Sequence, residues 1–330
     1  MCLYETLRLT TKVKFVERAE ALETAEATLR NAGFNVSRRC TSRTSCFDFA
    51  ARKDGNPVFI KVVPDIRDIC RDDAIELNTI SKALGCSSLF ISDHNQKNSL
   101  KDDTVYSRYN IHVVTSKTLE DVVRGALPLI KATPGGYVVR MDGEKIRKHR
   151  HNLGLSIGKL AGMTSISRRA LYGYERELTR ASVSVTYRLE EVLGVPLAQC
   201  INIFEASHKR VEEHQTSNNK PARDGNNILH IVLIWLSQLN LKVASINRAP
   251  FDFTAHLSNK KLRIMGGVFC KNETCAPDRI AEIVSLSETV EAKPLLICEK
   301  KAPSAPKNVI FLDYNELSQI GDTKDLVTLL

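Results

Sequence analysis

Apolar positions recur along this chain with two different periods, and the changes of period divide it into three. From Glu17 to about Leu127, stretches with apolar residues three and four apart alternate with short strand-like runs. From Asp142 to Phe204 the spacing is helical throughout, and from Ile228 to the end the mixture returns. Breaking residues mark both joints: Thr133-Pro134-Gly135-Gly136 before the helical block, and the polar run Glu212 to Asn227, with Pro221 and Gly225, after it. The expected division is an N-terminal α/β domain over 1–135, an all-α domain over 136–206, a polar linker over 207–226 and a C-terminal α/β domain over 227–330.

The two outer segments read as diverged copies. In the first, a helix ending near Arg30 leads to Phe34-Asn35-Val36, then Phe47-Asp48-Phe49, a turn at Asp54-Gly55 and the apolar run Val58 to Val63. In the second, Ile228 to Leu239 leads to Leu241-Lys242-Val243, then Phe251-Asp252-Phe253, a turn at Ser258-Asn259 and Leu262 to Met265. A helix follows in each (Asp72 to Leu84; Pro277 to Val290), then a buried strand (Leu89 to Ile91; Leu295 to Ile297) and a short one (Ile111 to Val114; Val309 to Leu312). Each copy is thus helix, three strands, helix and two further strands, and its uniformly apolar strands need cover on both faces. Any two α/β domains share such an order; the Phe-Asp-Phe at the same point favours duplication.

Composition narrows the class only modestly. At 330 residues, 43% hydrophobic and 26% charged, the chain has the content of an ordinary multidomain globular protein. The opening stretch lacks the charged-then-apolar pattern of a leader, and the longest apolar run, Ile228 to Leu239, is too short to span a bilayer. Nine cysteines without a Cys-x-x-Cys pair indicate neither a disulfide framework nor a zinc finger, and a reducing cytoplasm is the expected location. Cys270 and Cys275 are the closest pair, more often buried thiols than a redox or metal couple. A net charge of +9 favours a polyanionic partner, provided that the charge is concentrated somewhere.

It is concentrated in the central block. A first helix there ends at Leu153-Gly154, Ser156 is placed to cap a second helix carrying Leu160 and Ala161, a turn falls at Thr164-Ser165, and Ser167 caps a third. Two short helices so joined are a helix-turn-helix. Through Arg150, Leu153 to Ser156, Leu160-Ala161, Ile166-Ser167, Leu171, Tyr174-Glu175 and Leu189 to Val195, this block resembles the phage repressor and Cro family of DNA-binding domains. It departs from the family pattern at Ile157, where a phosphate-binding glutamine is frequent, and at Ser165 and Glu177, which stand in place of glycines. The resemblance implies double-stranded DNA as partner and a contact set of Lys159, Ser167, Arg168, Arg169, Tyr172, Gly173 and Arg176. In that set Arg168 and Arg169 are able to make bidentate bonds to guanine or to grip phosphate, and Gly173 lets the helix approach the groove floor. Lys145, Arg147, Lys148, His149 and Arg180 add positive charge around them. The resemblance also places Arg150 and Glu175 together as a structural ion pair.

The outer copies resemble the restriction-endonuclease-like fold, whose active members hold a divalent metal with an aspartate and a following Glu-x-Lys. Asp48 and Lys61 match, but Phe59 occupies the place of the second carboxylate. Counting the same offset from Asp252 puts Arg263 and Met265 at the two positions of the second copy. Neither copy has the donors to hold Mg²⁺, so no metal, cofactor or catalytic residue is expected. The fold class expected is α/β: two related α/β sandwich domains, restriction-endonuclease-like, flanking an all-α helix-turn-helix domain. This layout resembles archaeal transcriptional regulators with a repressor-type domain. The function read from the sequence is a sequence-specific DNA-binding transcriptional regulator, not an enzyme, acting as a homodimer. A metal-dependent nuclease or DNA-repair protein targeted by its helix-turn-helix is the alternative, and an adaptor working through protein contacts is a third reading.

Overall fold

The strand runs of the two outer segments form two sheets that share one core. The computed structural model describes residues 18–205, 227–257, 262–269, 276–298 and 310–329. The expected linker over 207–226, the Ser258-Asn259 turn, Cys270, Cys275 and Val309 lie outside the described residues.

The N-terminal half begins with helix α1 (residues 18–31) and strands β1 (Asn35–Val36), β2 (Phe49–Lys53) and β3 (Asn56–Val62). Asp54 and Gly55 both take positive φ between β2 and β3, as a two-residue hairpin turn requires. Helix α2 (Arg71–Leu84) ends on Gly85 in the left-handed region and leads into β4 (Ser87–Ile91). A small hairpin, β5 (His94–Asn95) and β6 (Asn98–Ser99), precedes β7 (Thr104–Arg108), β8 (Ile111–Val114) and α3 (Ser116–Val123). The central block follows: β9 (Ile130–Thr133), β10 (Gly136–Val139), α4 (Gly143–Asn152), α5 (Ile157–Met163), α6 (Arg168–Glu175), β11 (Ala181–Ser182) and α7 (Val183–Leu193). The C-terminal half runs α8 (Asn227–Gln238), β12 (Lys242–Ser245), β13 (Phe253–His256), β14 (Arg263–Phe269), α9 (Ala276–Val290), β15 (Lys293–Cys298), β16 (Ile310–Asp313) and α10 (Thr323–Leu329). Among the described residues no helix is long and apolar enough to cross a membrane.

The two sheets repeat one strand order. The first sheet starts β1-β2-β3-β4-β8 and the second reads β12-β13-β14-β15-β16, each with three antiparallel strands followed by two joined in parallel. In both, the aspartate before the second strand accepts a backbone N–H from the third: Val62 to Asp48 Oδ2 at 2.7 Å, and Val268 to Asp252 Oδ2 at 2.7 Å. The halves then grip each other reciprocally. Glu76 on α2 accepts the N–H groups of Asn247 and Arg248, while Glu282 on α9 accepts those of Thr41 and Ser42. One apolar cluster runs through both halves, including Phe47, Phe59 and Leu77 from the first and Phe251, Met265 and Leu286 from the second. Separate clusters cover the outer faces under α1 and α3 and under α8.

Two expectations are corrected here. The Thr133 to Gly136 break is the turn of the β9–β10 hairpin, which lies within the first sheet: β9 pairs in parallel with β7, and β10 antiparallel with β11. Backbone polar groups on either side of Pro134-Gly135 thus find ladder partners instead of ending a domain. The second correction concerns register. Phe49 pairs with Ile60 but Phe253 pairs with Gly266, so the β13–β14 connection is two residues longer than its counterpart. The positions equivalent to Phe59 and Lys61 are therefore Met265 and Gly267, and the equal-offset placement of Arg263 and Met265 fails.

Asp252 joins the halves most directly. It receives the fully buried Arg279 of its own half and, at 2.7 Å, Nη1 of Arg43 from the other. Asp252→Ala leaves a buried guanidinium without its carboxylate, and is expected to cost on the order of 3–5 kcal/mol in urea unfolding of the full chain. A loss below about 1 kcal/mol would show the guanidinium to be satisfied by backbone carbonyls alone.

Candidate nucleic-acid interface

Side-chain caps start each helix of the central block. Asp142 accepts the N–H of Lys145, Ser156 that of Lys159 and Ser167 that of Ala170. Gly154 closes the first turn at φ 63°, and Ser165 and Glu177, both at φ 55°, supply left-handed residues between α5 and α6 and after α6. A glycine would take that conformation without the steric cost these side chains carry. Arg140 donates to Glu177 at 2.8 Å, holding that strained residue in place and its carboxyl below the usual range. The core beneath is Ile146, Leu160, Ala161, Leu171 and Leu189, with Tyr174 packed against it.

Arg150 and Glu175 tie the first helix to α6. The Arg150 guanidinium donates from Nε to Glu175 Oε1 at 2.5 Å and from Nη2 to Oε2 at 3.1 Å, and Nη1 reaches the carbonyl of Leu155 at 3.0 Å. Both side chains are buried, about 7% and 6% exposed. Arg147, expected among the surrounding positive charges, donates to the backbone carbonyl of Glu175 at 3.1 Å. Gly143 lies against the same carbonyl, where a Cβ would sit 2.5 Å from the oxygen. The end of α6 is thus held by one buried fork, one carbonyl contact and one close backbone approach.

The outward side of α6 carries Arg168, Arg169, Tyr172 and Arg176, all exposed, with Lys159 exposed on α5. Arg169, Tyr172 and Arg176 follow at helical spacing on one stripe, and the Arg176 guanidinium stacks on the Tyr172 ring at 4.4 Å. Ser167 serves as the cap of α6. Gly173 is not on this face: it is buried, and a Cβ there would lie 2.9 Å from Oγ1 of Thr179. Its missing side chain makes room for the loop after α6, which corrects the expectation that it meets the groove floor. Gly158, which the sequence reading passed over, lies under the Arg168 guanidinium. The available signal was a glycine inside a short helix, unfavourable by about 1 kcal/mol against alanine unless something approaches closely.

The nuclease-like sites are arranged differently. In the first half a cavity of about 510 Å³ is lined by residues including Arg18, Arg43, Ser45, Asp48 and Lys61. Asp48 Oδ1 accepts Arg18 at 2.5 Å, and burial pushes its carboxyl up against the pull of that guanidinium. Lys61 donates to Asp73 at 2.9 Å and to the Ser45 carbonyl at 2.8 Å, while Phe59 is buried in the core. These residues do not fit a divalent ion: each aspartate, Asp48 and Asp252, has an arginine on the oxygens a metal would need. Among the described residues no group of three or more metal-ligating side chains assembles.

The buried fork generates a stability test. Glu175→Ala strands Arg150 and is expected to cost on the order of 3–5 kcal/mol in denaturant unfolding of the full chain. A cycle through Arg150→Met, Glu175→Leu and the double variant should show coupling well above additivity. Strictly additive losses would mean that the fork contributes nothing of its own.

Comparison with known proteins agrees with this geometry. Residues 18–128 match the PD-(D/E)XK superfamily domain and residues 145–199 a helix-turn-helix family. A protein of Methanococcoides burtonii named as an HTH-type transcriptional regulatory protein is 31% identical over 92% of this chain and 93% of its own. Proteins so named from Methanocaldococcus jannaschii and Pyrococcus furiosus are 30% and 27% identical, over 86% and 96% of this chain and 87% and 98% of theirs. The chain belongs to this archaeal family of helix-turn-helix transcriptional regulators.

Proposed function

We propose that this regulator reads a specific operator by laying α6 in the major groove of double-stranded DNA, in the cytoplasm, and that its outer halves do not cut DNA. The observation that carries the reading is the exposed stripe Arg169, Tyr172 and Arg176 on a helix whose other side is fastened by the Arg150–Glu175 fork. A base-reading helix must be rigid on its protein side and rich in donors on its outer side, and α6 is both. Lys159, Ser167 and Arg168 complete the proposed contact set, with Gly173 acting from within. The functional unit is the block from β9 to α7, attached to the N-terminal half through the sheet.

The non-enzymatic reading rests on the donor sets. Phe59 in one half and Met265 with Gly267 in the other supply no second carboxylate, and guanidinium groups cover the remaining aspartates. Such donor sets would not hold the divalent ion that lowers the pKa of an attacking water. Dimeric binding is part of the same proposal, because one reading helix covers few base pairs and short half-sites are abundant.

Arg169→Ala is expected to weaken binding to a selected operator by about 1–3 kcal/mol while leaving random DNA less affected, as followed by fluorescence anisotropy. Equal losses on both would reduce Arg169 to a phosphate contact. Footprints should show two half-sites about 34 Å apart or at a multiple of that spacing. A single half-site protected by a monomer, as judged by light scattering, would count against the dimer. Plasmid incubated with Mg²⁺ or Mn²⁺ should remain supercoiled; nicking that disappears in Asp48→Ala would overturn the non-enzymatic reading.

A further inference from the structure

We propose that Arg168 is a phosphate grip and not a base reader, and that Gly158 is the seat that fixes it in that role. The inference rests on the reading that α6 enters the major groove. An ideal Cβ on Gly158 would lie 3.0 Å from Nε, 3.1 Å from Nη2 and 3.2 Å from Cζ of Arg168, so the guanidinium lies across the bare backbone of α5. It is folded back from the first turn of α6 onto the neighbouring helix, away from the stripe that Arg169, Tyr172 and Arg176 form.

Position decides what such a group can meet. When the second helix of a helix-turn-helix occupies the groove, the first crosses the DNA backbone. A guanidinium lying on α5 therefore stands at the phosphate wall, whereas a base reader must extend along α6 toward the groove floor. Ile157, the first residue of α5, packs against the core, and the exposed Lys159 stands two residues on in the same turn, so Arg168 supplies the cation over the start of that helix. Among the described contacts its guanidinium makes no hydrogen bond or ion pair within the protein, so its donors remain available to an anion while packing limits its rotamers. That combination lowers the ordering cost of a charge-assisted bond to phosphate.

The residue type at 158 follows from this arrangement. Alanine would press on the guanidinium by a few tenths of an ångström, and valine would put a branched side chain where the guanidinium now lies. Gly158 thus acts on DNA only through Arg168 and is a positioning residue.

The test begins with duplexes selected by the wild-type full-length protein from a random pool. Binding of wild type, Arg168→Ala, Gly158→Val, the double variant and Arg169→Ala to a selected duplex and to a random one is then measured over a salt series. Arg168→Ala should weaken both duplexes by the same factor and reduce the salt slope by about one. Gly158→Val should do the same, and the double variant should be no weaker than either single one. A fall in the selected-to-random ratio in Arg168→Ala would make Arg168 a base reader and overturn the proposal. Additive losses in the double variant would overturn the seat. Should Gly158→Val fail to melt cooperatively, Arg168→Lys replaces it, since it retains charge without disturbing α5. Lysine is expected to keep the salt slope yet bind both duplexes more weakly than arginine, and a lysine variant that changes the ratio would overturn the proposal. A wild-type protein that selects no sequence would sink the operator reading alone, because the slope on random DNA still reports the Arg168 contact.

Discussion

The inner strands of both sheets are apolar on both faces, and this single fact organises the molecule. Neighbouring residues of a strand point to opposite sides, so Ala50 and Phe59 face one core while Phe49 and Ile60 face another. The second half repeats the pattern, with Met265 inward and Phe253 and Ile264 outward. Either sheet alone would leave a large hydrophobic face to water, of the kind that drives association. Placing α2 and α9 between the two sheets closes both faces at once, and the glutamates on these helices fix the alignment by accepting N–H groups from the opposite half.

The DNA-reading block depends on that platform through continuity of backbone. Its first strands extend the N-terminal sheet, and after α7 the chain returns, placing Ile201, Ile203 and Phe204 against the cluster under α1. The ring of Phe204 lies 5.4 Å from that of Phe34. Entry and exit are thus both anchored in the same half, and α6 inherits the orientation of the sheet instead of swinging on a flexible tether.

What the sequence disclosed and what it hid divide along the range of the interactions. Caps such as Ser156 and Ser167, the Asp54-Gly55 turn and the duplicated Phe-Asp-Phe are local signals, and each led to its element. The β9–β10 hairpin was read as a boundary because Pro-Gly-Gly marks a turn without saying whether the strands beside it pair. The longer β13–β14 connection displaced the second copy's site by two residues, since register is set by partners across the sheet and not by distance along the chain. Gly173 and Gly158 carry no side chain to betray their surroundings, so the Thr179 loop and the Arg168 guanidinium packed on them became visible only in three dimensions. The facing of the two halves was hidden for the same reason: uniformly apolar strands announce that cover is needed, not where it comes from.

Joining two like halves in one polypeptide also changes what mutation can do to them. In a symmetric pair of identical chains every substitution appears on both sides of the axis, so a contact can be improved only if its mirror image tolerates the change. Here the halves drift separately. Asp48 is covered by Arg18 from the leading helix, whereas Asp252 is covered by Arg279 from α9 and Arg43 from the opposite half. The position equivalent to Arg279 in the first half is held by Asp73, which takes the opposite charge and pairs with Lys61 and Arg248. A charge reversal of that kind could not stand between two identical chains, where both positions would carry the same residue.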